Sequence, residues 1–343
     1  MTLKPINFST GPVEIRKEVF EAMGKTPVSH RSPKFIKYFN STVDNFKDSL
    51  NVKDIFILTG SGTLANEAML WQIKAIKGKG LVLSNGEFGK RLRKQAKRIN
   101  LKFESIKKNW GEEFDLEEIE KKIKTKKLDW ILFPHCETST GVVNDLESIC
   151  NIAKKHKCKV YVDCMSSIGT MPLNLEGVEL ATASSGKGLG SFAGLALIFS
   201  NSEIKKHKKI PRYLDLNIYK TKGIPFTISS NLIEALSISI GFNLSNSKYE
   251  RISKQAEVIY NQLNETNLIP FAKKGTRVFT ITPNTNAEEI YYKLSEQGLT
   301  LSCQSSYLIK RNWLQVALFG NYEDNDIIKL CNLLKIELME LTE

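Results

Sequence analysis

Short apolar runs with helical patterns between them recur along the first two-thirds of this chain, and that alternation limits what it can fold into. "DIFILTG" (54–60), "GLVLSNG" (80–86), "WILFPH" (130–135), "KVYVDC" (159–164) and "LALIFSN" (195–201) read as strands. The stretches 63–76, 89–99, 115–125 and 146–157 carry helical spacing. Strands that are apolar throughout must be buried on both faces, so the pattern predicts a mainly parallel sheet with helices packed on each side. Ligands of such sheets sit beyond the carboxyl ends of the strands. The residues that follow each strand are therefore the ones to inspect.

Past about residue 245 the alternation stops. "ERISKQAEVIYNQLNET" (250–266) is helical, "RVFTITP" (277–283) and "WLQVALFG" (313–320) read as strands, and 325–341 closes as a helix. This second part is α+β and of ordinary domain size. The chain of 343 residues is long enough for two cores. It shows no internal repeat and no low-complexity linker.

The net charge of +12 raises the question of nucleic acid. The lysines, however, are spread over "KRLRKQAKR" (90–98), "KKIKTKK" (121–127) and "KKHKK" (205–209), with acids between these segments and no interleaved aromatic platform. We read a solvated basic surface and no nucleic-acid partner. No apolar run approaches the roughly 20 residues that span a bilayer, and the N-terminus lacks the sections of a signal peptide. The six cysteines (136, 150, 158, 164, 303 and 331) form no C-x-x-C pair and no ligand spacing with histidine. Free, mostly buried thiols, no metal and a cytoplasmic location are the expectation.

Four strand ends carry polar or glycine-rich residues, and a fifth segment carries a lysine. After 54–60 comes "GSGT", where Gly60 and Gly62 let backbone amides approach an anion and Thr63 opens a helix with its positive dipole end. After 80–86, Phe88 offers a ring for packing or for stacking on a flat ligand. "HCETSTG" (135–141) places a row of polar side chains just past a buried strand. Asp163 ends its strand between Val162 and Cys164, where a buried carboxylate needs a cationic partner. Lys187 follows one short strand and turn later, among Ser, Gly and Ala, where a confined amine can condense with a carbonyl cofactor. A phosphate cradle, a ring, hydroxyls, an acid and an amine together point to pyridoxal phosphate, whose ring nitrogen pairs with an aspartate.

In "FSTGPVEI" (8–15), "SHRSPKF" (29–35), "GSGTLANEA" (60–68), "NGEFGKR", "HCETSTGVV", "VDCMSSIG" and "FTISSNLIEAL" (226–236) the chain resembles the class V aminotransferases of pyridoxal-phosphate fold type I. It looks most similar to 2-aminoethylphosphonate–pyruvate, alanine–glyoxylate and serine–pyruvate aminotransferases. The resemblance implies a large cofactor-binding domain over 16–245 and a small domain over 246–343 joined by 1–15. It implies that Lys187 is the Schiff-base lysine and Asp163 the partner of the ring nitrogen. Phe88 then stacks on the ring and Thr138 reaches its phenolic oxygen. Ser61, Gly62 and Thr63 hold the phosphate, with Ser185 an additional candidate. Thr227 matches a threonine that reaches the neighbouring subunit's phosphate, which implies a homodimer with shared active sites. Amino transfer from a small amine or amino acid to an oxo-acid follows, in two half-reactions on one site.

The family usually carries an arginine late in the small domain that grips the substrate anion. Gln315 stands there in this chain. Arg311, four residues earlier, and Arg31 in "SHRSPKF" are the substitute candidates. Gly186 and "SFAG" (191–194) also depart from the family pattern. The loss of the clamp leaves a lyase or decarboxylase on the same cofactor as the alternative reading.

Overall fold

The computed structural model describes residues 5–339. Seven strands form its main sheet: β1 Asp54–Thr59, β2 Gly80–Ser84, β3 Phe103–Lys107, β4 Trp130–Pro134, β5 Lys159–Asp163, β6 Val178–Ser184 and β7 Leu195–Ser200. Their spatial order is β1-β7-β6-β5-β4-β2-β3. All neighbours are parallel except β7, which runs antiparallel to both β1 and β6. The exception has a local cause. Residues 185–194, between β6 and β7, are too few for a crossover helix, so the chain can only turn back. Lys187 lies in that turn.

Alternate residues of the same strands feed two cores. Leu81, Leu83, Ile131, Phe133, Val160 and Val162 pack into one cluster, whereas Val82, Trp130, Leu132, Tyr161, Ala196 and Ile198 pack into another. This is the two-sided burial that the continuous apolar runs predict. A third cluster joins Phe8 to Ile252, Ile259, Phe279, Val316, Leu330 and others of the C-terminal part. There Val278–Ile281 pairs antiparallel with Leu314–Ala317, and Ile6–Asn7 runs parallel to Leu299–Thr300.

The predicted elements are present with shifted ends. The 250–266 helix spans Asn246–Leu263, and the closing helix spans Asp324–Met339, its predicted residues 340 and 341 lying outside the described residues. Strand β3 was not expected, because "FESIK" is an edge strand with mixed polarity and mostly intermediate exposure. The helix Pro33–Leu50 was also not read, although Ser32 caps it in the usual way, accepting from the Phe35 N–H at 3.2 Å with Pro33 in the first turn. The six cysteines are free, and five of them are buried. Among the described residues no helix is long and apolar enough to cross a membrane, and no group of His, Cys, Asp and Glu is arranged to hold a metal ion.

Candidate active site

A cavity of about 430 Å³ opens at the carboxyl ends of the central strands, with Gly62, Thr63, Phe88, Asp163 and Lys187 in its wall. The sheet is what brings them together. β5 delivers Asp163 at its last residue, the β6–β7 turn delivers Lys187, and the helices after β1 and β2 begin at Gly62 and Glu87.

Asp163 is only 5% exposed. Its Oδ1 accepts from the Met165 N–H at 2.9 Å and its Oδ2 from Asn66 Nδ2 at 2.8 Å. Asn66 Oδ1 in turn accepts from Thr182 Oγ1 at 2.6 Å, so the carboxylate stands at the head of an oriented chain. Burial pushes the Asp163 pKa up, against the Met165 N–H, the Asn66 amide and the charges of Lys187 and Arg91. Lys187 borders the cavity, and its Nζ lies 3.2 Å from Ser166 Oγ and 5.2 Å from the Phe88 ring centroid. The protein crowded around it pushes its pKa down, and Asp163 pulls in the opposite direction. A lowered amine pKa supplies the neutral nucleophile that imine formation needs.

Phe88 is held by an acid not given a role on sequence grounds. The helix Glu87–Arg98 has no side-chain cap of its own at Gly86. Instead Glu137, fully buried, accepts from the N–H groups of Phe88 and Gly89 at 3.2 and 2.9 Å, and Ser139 Oγ accepts from the Glu87 N–H at 3.0 Å. Burial raises the Glu137 pKa, while the Ser139 hydroxyl and the backbone amides oppose this. The polar row "HCETSTG" thus fixes the ring-bearing helix to the end of β4. Thr138 is buried and in close contact with Ser166 Oγ, so it joins the site through the hydroxyl that Lys187 also meets.

The helix Gly62–Ile76 starts with Gly62 and Thr63 at the cavity and Ser61 as a cap without a side-chain hydrogen bond. The Leu64 N–H already bonds the Ser61 carbonyl at 2.9 Å. The first two amides are left for a ligand by the geometry of a helix start.

Other candidates lie elsewhere. Ser185 does not line the cavity, because its Oγ donates to the Phe192 carbonyl at 2.5 Å and accepts from the Leu195 N–H at 3.2 Å, closing the turn; Ser184 lines the cavity instead. Thr227 lines a separate depression with Tyr213 and Phe226, and Arg31 is exposed, its N–H bonded to Ser29 Oγ at 3.2 Å. Arg311 stacks over Trp110 with its Cζ 3.5 Å from the ring centroid. Gln315 is fully buried: its Nε2 donates to the Thr138 carbonyl at 2.7 Å and Thr280 Oγ1 at 2.9 Å, and its Oε1 accepts from the Tyr307 hydroxyl at 2.9 Å. Every polar atom of that amide is occupied within the protein.

Several residues of the cavity wall were not foreseen: Asn66, Arg91, Gln95 and Tyr307. Arg91 stands with Cζ 4.9 Å from the Phe88 centroid and makes no ion pair among the described residues. Gln95, one turn on, has both amide atoms buried without a partner. Both sit in the run "KRLRKQAKR", where their spacing from Phe88 of three and seven residues is the signal that puts them on its face of the helix.

Comparison with known proteins bears on the family and the fold. The family model for class V aminotransferases matches residues 11–212. Over 96% of its length the chain is 28% identical to the soluble hydrogenase 42 kDa subunit of Anabaena cylindrica, covering 92% of that protein. It is 29% identical to the 2-aminoethylphosphonate–pyruvate transaminase of Bacillus mycoides, with 80% of each chain covered. Its fold superposes on the alanine–glyoxylate aminotransferase of Nostoc sp. with a TM-score of 0.87, at 24% identity and with 98% and 96% of the two chains covered. The match to the family model spans more than half of the chain, from the first glycine of the N-terminal motif to beyond β7, and the chain belongs to the class V aminotransferase family.

Proposed function

We propose that this aminotransferase uses pyridoxal 5'-phosphate to move an amino group from a small amine or amino acid, such as 2-aminoethylphosphonate, alanine or serine, to an oxo-acid such as pyruvate or glyoxylate. The observation that carries the reading is the meeting of one amine, Lys187, and one backed carboxylate, Asp163, in a single cavity under a phenyl ring. The residues present fit the cofactor. The amine suits its aldehyde, the Phe88 face its ring, Asp163 its ring nitrogen and the free amides of Gly62 and Thr63 its phosphate. Gln95 supplies two buried polar atoms that a ligand or its water can satisfy.

When bound, pyridoxal phosphate supplies an aldehyde for imine formation and a ring that accepts electrons from the substrate carbon. Lys187 Nζ would hold the cofactor through its aldehyde, and its free amine would take and return the proton of the substrate carbon. Asp163, backed by Asn66 and the Met165 N–H, would be the acidic partner of the ring nitrogen. Thr138 and Ser166 would offer hydroxyl partners to the Lys187 amine and to the phenolic oxygen within the buried wall. Glu137 keeps Phe88 in place, and the ring face excludes water from one side.

Among the described residues Arg91 is the one cation besides Lys187 in the cavity wall, and we assign it the substrate's anionic group in this chain, with Arg31 and Thr227 offered to the site of a second subunit. A cytoplasmic homodimer with shared sites is part of the same reading, and the five buried free thiols suit a reducing compartment. So is the division into 16–245 and 246–343 with 1–15, supported by the separate apolar cluster that joins Phe8 to the C-terminal part.

The test is to add candidate amines to the holoprotein without any oxo-acid. Stoichiometric conversion of the bound cofactor to its aminated form is expected, reversed by pyruvate or glyoxylate. Repeated turnover with release of ammonia or carbon dioxide contradicts the reading.

A further inference from the structure

The turn that presents Lys187 is held from behind by a second lysine. Lys248 lies in the first turn of the helix Asn246–Leu263 and is 3% exposed. Its Nζ donates to the Gly188 carbonyl at 2.9 Å and to Asn243 Oδ1 at 2.5 Å. Asn243 Nδ2 continues to the carbonyl and Oγ of Ser239, both at 2.9 Å, and Ser239 Oγ donates to the Leu189 carbonyl at 2.6 Å. The two carbonyls that follow Lys187 are thus gripped by one buried network. The turn also closes on itself, the Gly190 N–H donating to the Lys187 carbonyl at 2.7 Å.

There is little slack around it. Gly190 has φ +64°, and a Cβ there would lie 2.7 Å from Asn243 Nδ2; a Cβ on Gly188 would lie 2.5 Å from the Ile168 carbonyl oxygen.

A buried ammonium usually faces an acid. Lys248 makes no ion pair among the described residues, and the charges that act on it, Arg251 one turn on and Arg16 before the helix Lys17–Met23, are both positive. Burial first, then those two charges, holds its pKa down to about 7. An apolar side chain would fill the same space without that penalty, but it would leave the Gly188 carbonyl buried with no donor. The strain of keeping a cation there makes sense if the carbonyl must be held.

We propose that Lys248 is a positioning residue for Lys187, clamping the Gly188 carbonyl and so fixing the turn from which the Lys187 amine reaches the cofactor. The proposal rests on Lys187 being the cofactor lysine. It concerns no atom that reacts: Lys248 acts through the backbone.

Two holoprotein variants test it. Lys248→Met keeps the stem and removes the donor, and Lys248→Arg keeps a charged donor. The direct readout is the pH at which the visible band of the Lys187-bound cofactor titrates, because that band reports the setting of the nitrogen itself. In Lys248→Met we expect this pH to shift by about one unit. We also expect kcat to fall about 10–100-fold with KM for the amino donor within about twofold. Lys248→Arg should move both values back toward those of the wild type. A folded, loaded Lys248→Met protein with an unchanged band titration and kcat overturns the clamp. Should that variant not fold, Asn243→Asp serves: a carboxylate beside Nζ raises the Lys248 pKa, and the band titration must move in response, whereas an unmoved titration overturns the proposal. Borohydride treatment of the wild type separates the two failures. Trapping at a site other than Lys187 defeats the cofactor reading and the clamp together; trapping at Lys187 with indifferent variants defeats the clamp alone.

Discussion

Asp163 and Gln315 are both buried and both hydrogen-bonded, yet they do different things with their polar atoms. Asp163 is supported from one side by Asn66 and the Met165 N–H and still lines the cavity. Gln315 turns its whole amide inward and ties the strand Leu314–Ala317 to Thr138, Thr280 and Tyr307. The Asp163 side of the site keeps charged groups, Asp163, Lys187 and Arg91, in the cavity wall. The Gln315 side is a neutral internal brace. A buried polar side chain can thus serve an open cavity in one case and hold neighbouring strands together in the other.

The sharpest way to break this contrast is to neutralise the supported acid. Asp163→Asn is expected to lower kcat about 10²–10³-fold, measured by half-reaction kinetics, with the fold intact; an effect smaller than tenfold would mean that Asp163 is only a buried structural acid.

A buried histidine just past the end of β4 also makes the protein sensitive to acid. His135 is 6% exposed, its Nδ1 has no partner, and burial holds its pKa down to about 4 despite the charge of Asp145. The unfolded histidine titrates near 6.5, so between about 4 and 6.5 the unfolded chain binds more protons. Stability therefore rises with pH across that window and is lost on acidification, by about 3 kcal/mol at full extent. Urea unfolding at pH 7 and pH 5 measures it, and His135→Gln should flatten the dependence.

On the braced side the expected effects are on stability. Gln315→Ala leaves the Thr138 carbonyl and the Tyr307 hydroxyl without their partner and should lower stability by about 1–3 kcal/mol, seen as a fall in Tm. Gln315→Arg should destabilise as well, since it forces a larger, charged side chain into a fully buried position, and should not create an anion clamp. A gain in affinity for an anionic donor in Gln315→Arg would show that the brace and the clamp are interchangeable.

The smallest effect belongs to Arg311. Its contact with Trp110 contributes about 0.5–1 kcal/mol, and because it lies outside the cavity wall, Arg311→Ala should leave KM within about threefold in steady-state assays. A larger rise in KM would return Arg311 to the substrate site.

The same contrast explains what could be read from the sequence. Lys187, Asp163, Phe88, Gly62 and Thr63 are legible because each directly follows, ends or nearly follows a sheet strand, and strand position is a local property of the apolar runs. Asn66 and Arg91 are not, because they sit inside helices where a polar residue reads as a solvated face, and only the tertiary fold turns them to Asp163 and the cavity. Tyr307 reaches Phe88, with ring centroids 6.3 Å apart, across a separation in sequence that no periodicity reveals. Gln315 was placed on its strand, but whether its amide faces a ligand or the protein depends on Thr138 and Thr280, far away in the chain. Strand β3 was missed because an edge strand need not be apolar.

The central claim is that Lys187 carries the cofactor. Purified protein incubated with pyridoxal phosphate, reduced with borohydride and digested should yield one modified peptide, bearing the cofactor on Lys187, with loss of the yellow colour on reduction. A protein that stays colourless, or one in which the label falls on any other lysine, contradicts the account.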